Sequence, residues 1–255
     1  MKPNATTLQR PDGAVIAYDR VAGKAPGIFF LHGLRSDRKG SKAAALMAYC
    51  QESNLAFLSI DMYGHGESSG DFRDGCISQW TDDAVAAIDH LTEGPQILVG
   101  SSMGGWVMLR AALARPHRVS GLVGIAAAPD FTEDLIWNAL SKEEQNEMKK
   151  DGFLEQPSDY DQEPYYISYG LIEDGRDCLV MHDTIPIHSP VRLLHGQKDN
   201  DVPFSTSLAL AEIITSSDVE TILIKDGDHR LSQPDDLSRL VTIIEQLRMT
   251  ISASL

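Results

Sequence analysis

The sequence has few cysteines and no apolar run that approaches the roughly 20 residues of a membrane span. Its 255 residues include three cysteines, Cys50, Cys76 and Cys178, whose spacing matches neither a disulfide framework nor a zinc site. The first residues form neither the apolar core of a signal peptide nor the Arg-rich pattern of a transit peptide. We therefore expect a cytoplasmic protein with reduced thiols and no membrane insertion.

Basic residues are also scarce, since 22 lysines and arginines stand against 37 acidic residues, for a net charge of −15. Binding to nucleic acid or to an anionic membrane needs a basic face, so this balance argues against both as partners. The segment from Asp130 to Asp177 holds 14 of the acidic residues and four of the basic ones. We interpret it as a solvated insertion in preference to an acidic docking surface.

What the chain does have is a regular alternation of apolar patterns. Strand-like runs at residues 28–31, 55–60 and 97–99 are separated by helical stretches of about 10 to 15 residues. Strands that alternate with helices in this way form parallel sheets, because each return connection needs a helix. The sequence therefore predicts an α/β fold, with a mostly parallel central sheet and helices on both faces.

The alternation breaks near residue 130 and resumes near residue 190. Between these points we expect a long helix over 131–150 and an aromatic stretch over 165–169. This irregular part is predicted to be a lid, or cap, of residues 130–188 inserted over the sheet. Residues 1–129 and 189–255 then form the core.

The motif Gly100-Ser101-Ser102-Met103-Gly104 follows an apolar strand and opens an apolar helix. A G-x-S-x-G sequence between a strand and a helix forms a tight turn that exposes the serine hydroxyl. Small residues flank the serine because the turn is crowded and its backbone is strained. The sequence therefore predicts Ser102 as a catalytic nucleophile.

A nucleophilic serine needs a base and an acid that orients the base, in the chain order serine, acid, histidine. Asp199 lies just after a late strand, and His229 is the one histidine that follows it. We predict His229 as the base and Asp199, the carboxylate closest to the strand end, as the acid. Asp201 remains an alternative acid, whereas Asp226 and Asp228, which flank the histidine, are typical of a turn.

Two backbone N–H groups are predicted to bind the oxyanion of the reaction. Met103 follows the nucleophile and begins a helix, whose N-terminus favours negative charge. Leu34 follows His32 and Gly33 in the loop after an earlier strand. We expect His32 and His195, which both precede glycine at strand ends, to form backbone or loop hydrogen bonds. The histidine spacing predicts no metal site, and we expect no other cofactor.

Aromatic residues are concentrated in the predicted lid. The candidates for lining a substrate pocket are Trp106, Tyr165, Tyr166 and Tyr169, together with Phe153 and Tyr160 of the same segment. Two interpretations stand side by side: these rings line an apolar acyl pocket, or they form the core of the lid.

These motifs, namely H-G-L, D-x-Y-G-H-G-x-S, G-S-S-M-G-G, H-G-x-x-D-x-x-V-P and D-H, resemble the α/β-hydrolase superfamily in order and spacing over nearly the whole chain. The residues around Ser102, His195 and His229 are most similar to mitochondrial acyl-protein thioesterases, which also cleave acyl-glucuronides, and to their bacterial relatives. The resemblance implies that Ser102, Asp199 and His229 form a triad. The chain departs from the mitochondrial proteins in its N-terminus and at His32-Gly33, where we expect Pro-Gly in the mammalian protein.

The function predicted from the sequence is a serine esterase or thioesterase that cleaves small-molecule esters or acylated substrates through an acyl-enzyme. Two alternatives remain open. One is a non-catalytic ligand receptor on the same fold, because fold alone does not determine function. The other is a C–C bond hydrolase or acyltransferase that uses the same triad.

Overall fold

An eight-stranded sheet runs through the middle of the computed structural model, which describes residues 5–156 and 165–253. Its strands are β1 (Thr6–Gln9), β2 (Val15–Val21), β3 (Lys24–Leu31), β4 (Leu55–Ile60), β5 (Gln96–Ser101), β6 (Val119–Ile125), β9 (Val191–Gly196) and β10 (Val219–Ile224). A separate hairpin consists of β7 (Phe153–Gln156) and β8 (Tyr165–Ser168). The strand order in the sheet is β1-β2-β4-β3-β5-β6-β9-β10.

The six strands from β4 to β10 are parallel to one another, and only β1 and β2 run antiparallel to their neighbours. β3 lies in the centre, where Phe29 pairs with Leu58 on one side and with Leu98 on the other. The prediction of a mostly parallel central sheet is confirmed. Because the strands are parallel, the carboxyl ends of β3, β5, β6, β9 and β10 meet at one edge, where ligands bind in such sheets.

Helices cover both faces of the sheet. They are α1 (Ser41–Glu52), α2 (Ile77–Leu91), α3 (Met103–Ala114), α4 (Lys142–Asp151), α5 (Tyr169–Arg176), α6 (Ser205–Ile213) and α7 (Pro234–Ala253). Side chains along β3 alternate between two apolar clusters: Phe29 and Leu31 pack with α2 and α3, while Ile28 and Phe30 pack with α1 and α7. Strands buried on both faces are therefore apolar throughout. No helix in the described ranges is long and apolar enough to cross a bilayer.

The connection from β6 to β9 differs from the prediction. The single helix expected over 131–150 is wrong, because the chain forms a short π-helical turn (Thr132–Ile136), a 3-10 turn (Trp137–Ala139) and then α4. Ser141 restarts the helix with a capping box, in which its hydroxyl accepts from the Glu144 N–H and Glu144 accepts from the Ser141 N–H. The spacing S-x-x-E is a sequence signal for this restart.

The predicted lid, residues 130–188, falls within the connection between β6 and β9. That these residues form a separate unit stays a prediction. Its described part contains α4, the β7–β8 hairpin and α5. The residues around Pro157 and Pro164, and Tyr160 among the aromatic candidates, lie outside the described residues. The backbone of Tyr165 belongs to β8, but its side chain also lies outside the description.

Candidate active site

Ser102 occupies the sharp turn between β5 and α3. Its backbone has φ 54° and ψ −122°, a conformation that costs a residue with a side chain about 1–3 kcal/mol. Neighbouring backbone holds it there: the Ser102 N–H donates to the Ile125 carbonyl at 2.9 Å, and the Ser102 carbonyl accepts from the Ala128 N–H at 3.1 Å. The end of β6 therefore fixes the strained turn from one side.

The two glycines of the motif are required by close backbone approach. A Cβ atom on Gly100 would lie 2.3 Å from the Gly104 carbonyl oxygen, and a Cβ atom on Gly104 would lie 2.3 Å from the Leu31 carbonyl oxygen. Both distances are far below van der Waals contact, and backbone atoms cannot rotate away as a side chain does. The small residues around Ser102 thus allow α3 to begin directly against the end of β3.

Three side chains that are distant in sequence come together at the carboxyl ends of the strands. His229 Nε2 lies 3.0 Å from Ser102 Oγ, and His229 Nδ1 lies 2.8 Å from Asp199 Oδ2. Asp199 follows β9, and His229 lies in the loop between β10 and α7. Asp201, the alternative acid, is exposed and donates its backbone N–H to Asp199 Oδ1 at 2.9 Å. The structure therefore brings Asp199 into hydrogen-bond contact with His229.

The Asp199 carboxylate accepts hydrogen bonds at both oxygens. Oδ1 accepts from the N–H groups of Asp201 and Val202, whereas Oδ2 lies near His229 Nδ1 and also 3.1 Å from His195 Nε2. Burial on its own would raise the pKa of Asp199, but the hydrogen bonds from His195 and His229 outweigh it and hold the pKa well below its ordinary value. Asp199 is therefore ionised at neutral pH.

A network centred on His32 orients the loop after β3. The Met62 N–H donates to His32 Nε2 at 3.2 Å, so the ring carries its hydrogen on Nδ1, which donates to the Gly33 carbonyl at 2.8 Å. Burial lowers the pKa of His32 to about 4 and keeps the ring neutral. Because C=O and N–H point in opposite directions in a trans peptide, the Leu34 N–H points away from this carbonyl. The prediction that His32 bonds to backbone is confirmed.

The two predicted oxyanion donors, Leu34 and Met103, both line a cavity at Ser102 with a volume of about 640 Å³. Met103 is the first residue of α3, where backbone N–H groups have no intrahelical partner. The apolar residues that line the cavity, here called the apolar wall, include Leu34, Met103, Phe131, Leu135, Ile136 and Ile167. The polar residues that line it, here called the polar wall, include Arg35, Asp37, Lys42, Asn200, Asp201 and Arg230.

Lys42 connects α1 to the loop that carries His229. Its ammonium group donates to the Arg230 carbonyl and, at 3.1 Å, to the Ser232 hydroxyl. Burial lowers the pKa of Lys42 to about 8, so the side chain is mostly charged at neutral pH. These contacts hold the segment after His229 against the first turn of α1.

Among the predicted aromatic pocket residues whose side chains the structure describes, Trp106, Tyr166 and Tyr169 do not line this cavity. Trp106 is fully buried, and its Nε1–H donates to the Cys178 carbonyl at 3.1 Å. Tyr169 packs on Trp137 with ring centroids 5.8 Å apart, and Tyr166 stacks on Phe153 at 4.9 Å. Tyr166 instead lines a second, polar cavity of about 550 Å³. Trp106 and Tyr169 therefore pack against residues of the β6–β9 connection, and Tyr166 lies between Phe153 and the second cavity.

The apolar wall that sequence reasoning missed consists mainly of aliphatic residues of the insertion. Phe131, Leu135 and Ile136 come from the start of the β6–β9 connection, and Ile167 comes from β8. The signal in the sequence is the apolar spacing of Phe131, Leu135 and Ile136. That spacing also fits a long helix, and the π-helical turn that directs these residues to the cavity has no simple sequence pattern.

Within residues 5–156 and 165–253, one group of side chains has the spacing of a metal site, namely Asp199, Asp201 and His229, whose ligand atoms lie within 4.8 Å of one another. Both ring nitrogens of His229 are already engaged, one with Asp199 and the other with Ser102. A metal ion would have to displace one of these bonds. The geometry therefore fits a hydrogen-bonded triad better than a set of metal ligands.

The three thiols do not compete with Ser102 as nucleophiles. Burial raises the pKa of Cys50 and of Cys178 to about 12. Burial also raises the pKa of Cys76. Since the thiolate is the reactive form, all three sulfur atoms stay protonated and inert at neutral pH.

Two buried histidines should make the free energy of unfolding depend on pH. Burial lowers the pKa of His32 to about 4 and that of His65 to about 3. The unfolded chain therefore binds protons below about pH 6.5 that the folded protein does not bind. As a result, the free energy of unfolding decreases as the pH is lowered. Between about pH 6 and 4.5 we expect each histidine to contribute a loss of about 1.4 kcal/mol per pH unit, whereas Asp83, whose pKa burial raises to about 6, opposes one such contribution. Urea unfolding at several pH values measures this slope.

His65→Phe isolates one of these contributions. The Tyr63 carbonyl that His65 contacts through Nδ1 keeps the Trp80 Nε1–H as a donor, and the buried His65 Nε2 has no partner to lose. We expect the slope of this variant to be lower than that of the wild type by about 1.4 kcal/mol per pH unit. His90→Phe, on the exposed face of α2, is the matched control and should keep the full slope. Equal slopes in all three proteins would contradict the assignment.

This chain is similar to known proteins over most of its length. The profile of the Alpha/beta hydrolase family matches residues 28–240. The mitochondrial palmitoyl-protein thioesterase ABHD10 of Bos taurus is 41% identical over 247 residues, which cover 96% of this chain and 80% of that protein. The structure of mouse alpha/beta hydrolase domain-containing protein 10 is 40% identical, with a TM-score of 0.92 over 98% of this chain and 100% of that one. A solved protein from Agrobacterium vitis S4 is also 40% identical, with a TM-score of 0.90 over 96% and 97% of the two chains.

The expected cytoplasmic location is wrong on this comparison. The five mammalian relatives at 40–41% identity are all mitochondrial proteins by name, which points away from the cytoplasm. The prediction depended on the composition of the first residues and on the scarcity of cysteine. Reduced thiols do not distinguish the cytoplasm from other reducing compartments.

Proposed function

The chain belongs to the alpha/beta hydrolase family of enzymes, and on that premise we propose that it hydrolyses acyl thioesters and esters through an acyl-enzyme on Ser102. The observation that carries the proposal is the hydrogen-bonded chain from Ser102 Oγ through His229 to Asp199, with distances of 3.0 and 2.8 Å. A base in contact with the serine and an acid in contact with the base are what an activated serine needs.

Acylation follows from these contacts. Ser102 Oγ attacks the acyl carbon while its proton moves to His229 Nε2, and ionised Asp199 stabilises the imidazolium through Nδ1. The backbone N–H groups of Met103 and Leu34 donate to the oxyanion of the tetrahedral intermediate. When the intermediate collapses, the bond from the acyl carbon to the leaving sulfur or oxygen breaks, and His229 returns the proton to the leaving group.

Deacylation uses the same groups with water as the nucleophile. His229 accepts a proton from water as the water oxygen attacks the acyl carbon of the Ser102 ester. Collapse of the second intermediate releases a carboxylic acid and returns the proton to Ser102. One ester or thioester and one water thus give one acid and one alcohol or thiol.

The two walls of the cavity support an assignment of the acyl side. An aliphatic chain gains about 0.8 kcal/mol for each methylene group it buries, so it belongs against the apolar wall formed by Phe131, Leu135, Ile136 and Ile167. The leaving group then faces the polar wall with Arg35 and Lys42. This arrangement agrees with the palmitoyl-protein thioesterase activity in the names of the relatives.

The proposal is tested by labelling the protein with a fluorophosphonate probe and mapping the modified peptide. We expect a single adduct on Ser102, and turnover of both thioesters and oxygen esters of fatty acids by the same protein. A protein that folds but takes up no probe would support the ligand-receptor alternative. Product analysis that finds acyl transfer to an acceptor other than water would support the acyltransferase alternative.

Substitution of one residue in the apolar wall tests the acyl assignment. In the wild type, kcat/KM should rise by up to about fourfold for each added methylene until the cavity is filled. Leu135→Gln should lower kcat/KM for long acyl chains by about tenfold and leave acetyl esters nearly unchanged. The measurement is the ratio of kcat/KM for dodecanoyl and acetyl thioesters of one thiol.

Leu179→Gln is the matched control. Leu179 is also a half-buried leucine of the β6–β9 connection, but it follows α5 and does not line the Ser102 cavity. Its substitution should leave the ratio at the wild-type value even where it lowers stability. A ratio that does not depend on Leu135, or a flat chain-length profile in the wild type, would contradict acyl binding at this wall.

A further inference from the structure

The acid of the triad has a second histidine neighbour. Asp199 Oδ2, the oxygen that contacts His229, also lies 3.1 Å from Nε2 of His195. His195 is the fifth residue of β9, four residues before Asp199, and its side chain is fully buried. It does not line the cavity at Ser102, so it has no access to a substrate.

The surroundings of His195 determine where its hydrogen lies. Besides Asp199 Oδ2, the Val202 carbonyl oxygen lies 2.9 Å from Nε2, and both of these oxygens are acceptors only. Nε2 therefore carries a hydrogen and donates it, whatever the charge of the ring. On the opposite side Nδ1 lies 2.7 Å from the hydroxyl of Ser207, which is buried in α6. The ring is thus held at both ends between α6 and the turn after β9.

With His195 included, every acceptor position of the Asp199 carboxylate is occupied. The N–H groups of Asp201 and Val202 hold Oδ1, and the two histidines share Oδ2. A carboxylate offers about four such positions. Removing the His195 donor would leave Oδ2 with His229 as its one partner, in a place too buried for water to substitute freely.

We propose that His195 is a positioning residue for the reaction. It holds the Asp199 carboxylate in line with His229, and it limits how strongly that carboxylate attracts the His229 proton. The proposal rests on the proposed triad function. His195 reaches the substrate only through Asp199 and His229, so it affects the chemical step and not substrate binding. The donated hydrogen bond removes some negative charge density from Oδ2, and His229 can then release its proton to the leaving group more readily.

Two variants distinguish the contact at Nε2 of His195 from the contact at Nδ1. The amide nitrogen of glutamine can stand near the position of Nε2, so His195→Gln keeps a donor for Asp199. The amide of asparagine stands near Nδ1, so His195→Asn keeps the contact with Ser207 and loses the one with Asp199. We expect His195→Asn to lower kcat by about tenfold with KM unchanged, and His195→Gln to restore kcat to within about threefold of the wild type.

The pH profile distinguishes positioning from simple support of the fold. In His195→Asn the carboxylate holds the His229 proton more tightly, so the acid limb of kcat/KM should move to higher pH by about half a unit. The charged residues that line the same cavity are Arg35, Asp37, Lys42, Asp201 and Arg230. All of them are present in both variants, so a difference between the two limbs arises from residue 195.

Three results would overturn the proposal. The first is a His195→Asn variant whose kcat and acid limb equal those of the wild type, and the second is an equal loss of kcat in His195→Asn and His195→Gln. The third is a His195→Asn variant that has a lower kcat but an acid limb at the same pH as the wild type. If His195→Asn does not fold, nitrogen NMR of the wild-type histidines gives the answer without a variant. A hydrogen on Nε2 of His195 supports the proposal, and a ring with its hydrogen on Nδ1 alone refutes it. This measurement does not depend on activity, whereas failure of the triad function would appear as full turnover in Ser102→Ala.

Discussion

Ser102→Ala is expected to abolish turnover of thioesters and esters, with a loss of about 10⁶-fold in kcat, as is typical when the nucleophile of such a triad is removed. The hydroxyl oxygen is the proposed site of the acyl-enzyme, and no thiol replaces it, because burial raises the pKa of all three thiols and keeps them protonated. KM and the melting temperature should change little, since within residues 5–156 and 165–253 the hydroxyl is hydrogen-bonded to His229 alone. Steady-state kinetics and probe labelling measure these effects.

Ser120→Ala provides the matched control. Ser120 is a half-buried serine on β6 whose hydroxyl donates to the Gln96 carbonyl, so its substitution also deletes one hydrogen-bonded hydroxyl. It lies at the opposite end of the strand from the cavity, and turnover should remain at the wild-type level. Activity in Ser102→Ala that equals that of Ser120→Ala would mean that the acyl-enzyme does not form on Ser102.

The sheet was predictable because its signals are local. The runs at 55–60 and 97–99 coincide with β4 and with the inner part of β5. A strand buried on both faces is apolar at every position, and a short run of this kind between helical stretches is typical of a parallel strand. Chain order then placed Ser102, Asp199 and His229 after three parallel strands, whose carboxyl ends must meet.

The connection between β6 and β9 was less predictable because its structure depends on long-range contacts. Trp106 lies four residues after Ser102, yet its indole is buried under the segment after α5 and donates to Cys178. Phe131 packs against the same indole in a T-shaped arrangement and also lines the cavity. Which aromatic ring faces a cavity and which fills the core is decided by how the insertion docks on the sheet, and sequence periodicity does not contain that information.

The role of His195 was hidden for a related reason. Its position before glycine at a strand end correctly predicted a loop hydrogen bond, which the Val202 carbonyl accepts. The contact with Asp199 depends in addition on the tight turn that follows β9, where the N–H groups of Asp201 and Val202 fold back on Oδ1. A histidine four residues before the acid therefore lies close to it only after this turn has formed.

Asp199→Asn is expected to lower kcat by about 10⁴-fold through the wrong tautomer of His229. With the carboxylate present, His229 Nδ1 donates to Asp199 Oδ2, which leaves Nε2 free to accept the Ser102 proton. An amide can instead present its N–H₂ group to Nδ1, because the N–H groups of Asp201 and Val202 favour an oxygen at the other position, that of Oδ1. His229 would then carry its hydrogen on Nε2, pointing at Ser102 Oγ, and could no longer act as a base.

Asp201→Asn is the matched control for this result and decides between the two candidate acids. The exposed Asp201 contributes its backbone N–H to Asp199, and the substitution leaves that donor intact. Its kcat should stay within about threefold of the wild type. A large loss in Asp201→Asn together with a small one in Asp199→Asn would assign the acid to Asp201. The same result would also remove the basis for a positioning role of His195, because its contact is with Asp199 alone of the two carboxylates.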